Sequence, residues 1–131
     1  MAAAPRFALR TVVLDCPDAH VLADFYGRLL GWPVTESEPG WVLMRCPDGG
    51  TGLSFQSEAA YVPPVWPEQP GAQQKMLHLD IRVDDLDAAV AHAVAVGARP
   101  AAFQPQEDVR VLFDPAGHPF CLFEDGSSTS G

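Results

Sequence analysis

The chain has 131 residues, enough for one compact domain or for two small modules sharing a core. A net charge of −9 and a single lysine, Lys75, argue against a nucleic-acid partner, which needs clustered Lys and Arg. No apolar run approaches a membrane span, and the opening "MAAAPRFALR" lacks the layout of a secretory signal, so a cytoplasmic protein with no membrane partner is expected. The cysteines (Cys16, Cys46 and Cys121) are odd in number and far apart, which suits buried thiols better than disulfides or a CxxC site.

In chain order, the first predicted element is a strand in which Val12, Leu14 and Cys16 alternate with Thr11, Val13 and Asp15. A helix follows, with Asp18 as cap, a stripe of Leu22, Phe25, Tyr26, Leu29 and Leu30, and Gly31 as the stop. A strand is predicted near Pro33–Glu36, then strands at Trp41–Arg45 and Gly52–Gln56 around the turn "CPDGG". Residues 57–76, rich in proline and anchored by Tyr61 and Trp66, read as an ordered connector.

The second strand series opens with Leu77, Leu79, Ile81 and Val83 alternating with His78, Asp80, Arg82 and Asp84. Asp84 or Asp85 caps a helix with an Ala-Val stripe that stops at Gly97. A strand is predicted near Pro100–Gln104, and strands at Val109–Phe113 and Pro119–Glu124 flank the turn "DPAGH". The polar tail, 126–131, has nothing to bury and is predicted to be disordered.

The two halves repeat. "TVVLDCPDAHVLADFYGRLLGWPV" lies over "HLDIRVDDLDAAVAHAVAVGARPA" at an offset of 67, and "WVLMRCPDGGTGLSFQ" over "VRVLFDPAGHPFCLFE" at 68. On this alignment Thr11 matches His78, and Gln56 matches Glu124. The expected fold is α+β: a single domain over 1–131 built from tandem βαβββ modules at 8–57 and 77–125, joined by a connector at 58–76. Asp80 and Arg82 share the His78 side of their strand, and Asp15 and Ser54 share the sides of Thr11 and Gln56, so all four are candidate ligand contacts. Tyr61 and Trp66 are candidates to stack on a planar ligand, with core packing and connector anchoring as the alternative. His20 and His92 read as exposed helix residues, and His118 as a polar turn residue.

"FYGRLLGWPV", "HLDIRVDDLDAAVAHAVAVGAR" and "DPAGHPFCLFE", in this order and spacing, resemble the vicinal oxygen chelate superfamily, and most closely its small bacterial glyoxalase-like branch. The superfamily includes glyoxalase I, bleomycin-resistance proteins, fosfomycin-resistance enzymes and extradiol dioxygenases. The resemblance implies an open, cupped mixed sheet with helices outside and a site inside the cup. It also implies metal ligands drawn from the first and last strands of each module, which here are Thr11, Gln56, His78 and Glu124. His78, Glu124 and Gln56 would then hold a divalent ion (Zn, Ni, Mn or Fe), with Thr11 a poor donor where the family often has His or Gln.

Two functions are compatible with that resemblance. One is a lyase or isomerase in which His78 and Glu124, with or without metal, move a proton beside a chelating oxygen of a small-molecule substrate. Gln56 in place of a second carboxylate counts against glyoxalase I activity itself. The alternative is a non-catalytic protein that sequesters a cationic or aromatic small molecule, as bleomycin-resistance proteins do. A homodimer is expected, because an open sheet leaves an edge to cover.

Overall fold

The computed structural model describes residues 4–124, so the tail at 126–131 lies outside the described residues. The first module runs β1 (Thr11–Cys16), α1 (Ala19–Leu30), β2 (Glu36–Glu38), β3 (Trp41–Met44) and β4 (Gly52–Ser57). The Asp18 carboxylate accepts the His20 amide at 2.9 Å at the start of α1. Gly31 ends the helix in the left-handed region at φ 73°, where a Cβ would be strained. The strands form a sheet in the order β1-β4-β3-β2, with β1 parallel to β4 and the other pairs antiparallel.

The second module repeats the plan with β5 (Leu79–Val83), α2 (Leu86–Ala95), β6 (Arg99–Pro100), β7 (Val109–Phe113) and β8 (Pro119–Glu124). Its sheet order is β5-β8-β7-β6, again with the first pair parallel. The Asp85 carboxylate caps α2 by accepting the Ala88 amide at 3.1 Å. The α+β class and the tandem modules expected from the sequence are therefore present, as two open four-stranded mixed sheets.

Two edge strands depart from the prediction. Glu38 pairs with Trp41 across a tight turn at Pro39 and Gly40, and that turn sets the register, so β2 begins at Glu36 and not at Pro33. β6 pairs Arg99 and Pro100, and after one more backbone bond, from the Ala101 amide to the Val111 carbonyl at 3.0 Å, a side chain takes over from the rungs predicted further on. The Gln104 amide donates to the Val111 carbonyl and accepts the Val111 amide, both at 2.9 Å.

Each sheet turns one face to the helices, and those faces share one core. Leu14, Phe25, Tyr26, Val42 and Phe55 of the first module pack with Leu112, Phe120 and Leu122 of the second. The Phe25 and Tyr26 rings meet edge to face at 4.9 Å, and Tyr26 stacks on Phe55 at 5.6 Å. Such aromatic pairs add roughly 0.5–1.5 kcal/mol each beyond their buried area. Ala101, Val109, Val111 and Cys121 form a smaller cluster, completed by Phe113, Phe123 and Trp66 of the connector. On β7 and β8 its residues alternate with those of the main core, so Trp66 covers the opposite face of the second sheet. No helix among the described residues is long and apolar enough to cross a membrane.

Candidate functional site

Strand register decides which side chains can meet. Val12 faces Leu53, and 67 residues on, Leu79 faces Phe120. Val42 faces Phe55, whereas its counterpart 68 residues on, Arg110, faces Leu122, which lies 67 from Phe55. The turn of the second module is thus one residue shorter, and the offset returns to 67 beyond it. Because side chains alternate along a strand, that one residue reverses the face. The counterpart of Gln56 is Phe123, and the counterpart of Glu124 is Ser57.

These counterparts share a task. The Ser57 hydroxyl accepts the Ala19 amide at the start of α1, and the Glu124 carboxylate accepts the Leu86 amide at the start of α2, each at 2.8 Å. Glu124 is therefore a helix cap at the far end of β8. It stands beside Val83, five residues along β5 from His78, which is about 16 Å of extended strand. Gln56 likewise faces Asp15, four rungs from Thr11, or roughly 13 Å along the ladder. The sequence-derived set of Thr11, Gln56, His78 and Glu124 does not converge, and it does not fit a shared ion. Thr11 instead accepts a hydrogen bond at 3.0 Å from the fully buried Ser54 hydroxyl.

His78 precedes β5 and lies on the face away from the helices. Its Nε2 is 3.3 Å from the Asp80 carboxylate. Asp80 faces Cys121 across the parallel rung and hydrogen-bonds its thiol. Burial, then the Asp80 charge, pushes the Cys121 thiol up to about 11. His78 and Cys121, with Trp66, Lys75, Val109 and Val111, line a hollow of about 120 Å³. His78, Trp66, Lys75 and Cys121 thus share one hollow, with Asp80 in contact with His78 and Cys121. Arg82 lies two residues beyond Asp80 on β5, on the same face by strand alternation.

A larger cavity of about 330 Å³ opens where the end of β1, the connector and the turn before β8 meet. Asp15, Glu58, Tyr61 and His118 line it, with Val13 and Met76 as apolar wall. His118 Nε2 lies 2.7 Å from the Asp15 carbonyl; a carbonyl only accepts, so the ring nitrogen donates. The Tyr61 hydroxyl donates to the Ala116 carbonyl at 2.8 Å and lies 3.3 Å from the same His118 nitrogen. Burial, then the Asp114 charge, raises the Tyr61 phenol well above its ordinary value.

Beneath this wall Asp114, only 2% exposed, accepts Tyr26 Oη at 2.7 Å and the Ala116 and His118 amides at 2.9 and 3.0 Å. Burial raises the Asp114 pKa, against the opposing His118 charge and these hydrogen bonds. His118 looked like ordinary turn polarity in the sequence, and its link to β1 lies 103 residues away, beyond any local pattern. His20 and His92 also bond to backbone, donating to the carbonyls of Glu38 and Arg28. Residues 73–78 border both hollows: Gln73, Gln74, Met76 and Leu77 line the larger, Lys75 and His78 the smaller.

Comparison with known proteins accords with this architecture. The glyoxalase-like domain family matches residues 11–123. A glyoxalase/bleomycin resistance protein/dioxygenase family enzyme from Burkholderia phytofirmans superposes with a TM-score of 0.67 at 21% identity, covering 90% of this chain and 98% of that one. A glyoxalase/dioxygenase from Nostoc punctiforme gives a TM-score of 0.65 at 20% identity over 96% and 100% of the two chains. An antibiotic binding protein from a Streptomyces species gives 0.63 at 20% identity over 95% and 100%. At these identities the likeness is one of fold. No curated protein matches in sequence. From the family match over nearly the whole chain and the paired βαβββ sheets, the chain belongs to the glyoxalase-like domain family of the vicinal oxygen chelate superfamily.

Proposed function

We propose that this chain is a non-catalytic small-molecule binding protein that holds a cationic or aromatic ligand in the larger cavity. The observation that carries this reading is the lining of that cavity. Two carboxylates, Asp15 and Glu58, stand beside the Tyr61 ring, the His118 imidazole and an apolar wall of Val13 and Met76. About 330 Å³ falls within the range of small-ligand pockets. Carboxylates around an aromatic face attract a cation and exclude an anion. The Streptomyces protein of the same fold is an antibiotic binding protein, which is in keeping with this class.

The lyase or isomerase reading required Glu124 to move a proton beside His78, and Glu124 is engaged with the Leu86 amide instead. A cytoplasmic setting and a homodimer belong to the same proposal. The dimer rests on the open sheets, whose outer strands are β1 and β2 in one and β5 and β6 in the other.

Calorimetric titration with a cationic glycopeptide antibiotic of the bleomycin class tests the reading. Saturable binding is expected. D15N and Y61A should each weaken it more than about tenfold, a loss of roughly 1.4 kcal/mol, while E124A leaves it unchanged. Binding indifferent to both D15N and Y61A would sink the proposal.

A further inference from the structure

We infer that His78, Asp80 and Cys121 form a thiolate-bearing site for a divalent ion of the zinc class, independent of the cavity reading above. Strand geometry brings them together. Asp80 and Cys121 face each other across the β5–β8 rung, and His78 is two residues before Asp80, on the same side of the strand. Their ligating atoms all lie within 4.8 Å of one another. Zinc–nitrogen bonds of about 2.0 Å and zinc–sulfur bonds of about 2.3 Å require ligand atoms roughly 3.3–3.8 Å apart in a tetrahedron. No pair therefore needs to close by more than about 1.5 Å. The His78 and Asp80 side chains are about 30% exposed and have room to turn, while buried Cys121 supplies the fixed donor.

The donor set selects the ion. Imidazole nitrogen, carboxylate oxygen and thiolate sulfur suit zinc and cobalt, and the sulfur disfavours magnesium, calcium and manganese. One carboxylate and one thiolate balance a charge of two. Lys75, which lines the hollow, is already paired with Glu68 at 2.9 Å. The fourth coordination position faces the 120 Å³ hollow, leaving room for water or a ligand atom. Three protein donors and an open position are the arrangement of a reactive zinc site, whereas closed structural sites use four. This set lies within one module and shares only His78 with the four residues implied by family resemblance.

Cobalt(II) is the probe, because a sulfur-to-cobalt charge-transfer band appears only when a thiolate binds. The full chain carrying C46S removes the half-buried Cys46 as a competitor. Titration of that protein should give the band together with tetrahedral ligand-field absorption, saturating at one ion per chain, and zinc should displace it. C121S should abolish the band, and D80N and H78Q should weaken cobalt binding, while E124A and Q56A leave it intact. Melting curves recorded without metal identify any variant that has simply failed to fold, and for C121S the lesser change C121A then replaces it. Absence of the band, or its survival in folded C121S or C121A, overturns the inference. Loss of binding in E124A with retention in D80N overturns it in favour of the family set.

Discussion

Ser57 and Glu124, 67 residues apart, hold the N-termini of the two helices in the same way, each accepting the first helical amide at 2.8 Å. A helix start presents unpaired N–H groups and the positive end of the helix dipole. Either a hydroxyl or a carboxylate meets the first need, and only the carboxylate adds charge. E124A should therefore cost about 0.5–2 kcal/mol of stability, with S57A in the same range. E124Q should lose less, because its amide oxygen still accepts. Denaturant unfolding monitored by circular dichroism measures all three. A change in cobalt affinity in E124A, at unchanged fold, would contradict the assignment of Glu124 as a cap.

Asp114 supplies the acceptors for three donors, Tyr26 Oη and the Ala116 and His118 amides. D114A should cost about 1–3 kcal/mol or more, since each buried donor then loses its partner. D114N keeps an acceptor oxygen for the turn amides and should cost much less. The pH dependence has a defined sign. The folded pKa is raised above the ordinary value of 3.8, so folding favours the protonated acid. That contribution is fully present below the unfolded value and is lost as pH rises through the raised folded value. Wild type should therefore lose stability relative to D114N as pH climbs from about 4 upward. Parallel denaturation series across that range would detect a difference of the opposite slope.

Thiol reactivity should sort by burial. Cys16 and Cys121 are buried, and burial pushes both thiols up to about 11. A thiol held protonated inside a core reacts slowly with alkylating reagents. Intact-mass analysis after brief iodoacetamide treatment near neutral pH should show one adduct per chain, mapped to Cys46. Denaturation should raise the number to three, the full cysteine count.

Gln104 should act as part of the sheet. Its amide bonds both backbone groups of Val111 and also donates to the Ala101 carbonyl at 3.0 Å. Q104A takes the acceptor from the Val111 amide, while the Val111 carbonyl keeps the Ala101 amide at 3.0 Å, and should cost about 1–3 kcal/mol. Q104E keeps the acceptor for the Val111 amide but sets an anion against two carbonyls, so it should be no better tolerated. Hydrogen exchange at the Val111 amide reads the effect locally and should accelerate in both variants.

Most of the fold was legible because its long elements carry strong periodicity. The Leu22–Leu30 stripe, the Leu77–Val83 alternation and the Asp and Gly punctuation of both helices each correspond to an observed element or cap. β2 and β6 were poorly placed because they are edge strands of three and two residues with no apolar face to pattern. The site was only partly legible. His78 and Asp80 follow from alternation within one strand, but their neighbour Cys121 follows only from the register between strands. The one-residue difference in turn length shifted the internal alignment, put Glu124 opposite Gln56, and reversed the face assigned to it. Asp15, Tyr61 and His118 come together from three distant segments, and no local spacing links them.

The bond between Tyr26 and Asp114 occurs once in a chain built from two similar modules. By the same offsets of 67 and 68, the position of Tyr26 is Ala93 in the second module, and the position of Asp114 is Cys46 in the first. Two copies of the second module brought together would set Asp114 against a methyl group. Two copies of the first would set the Tyr26 hydroxyl against a thiol. Only the mixed arrangement satisfies both groups, and stranding either one costs about 1–3 kcal/mol. A single polar contact thus lets each half of the chain distinguish its complement from its own likeness, and biases the modules toward pairing with each other over like modules of neighbouring chains.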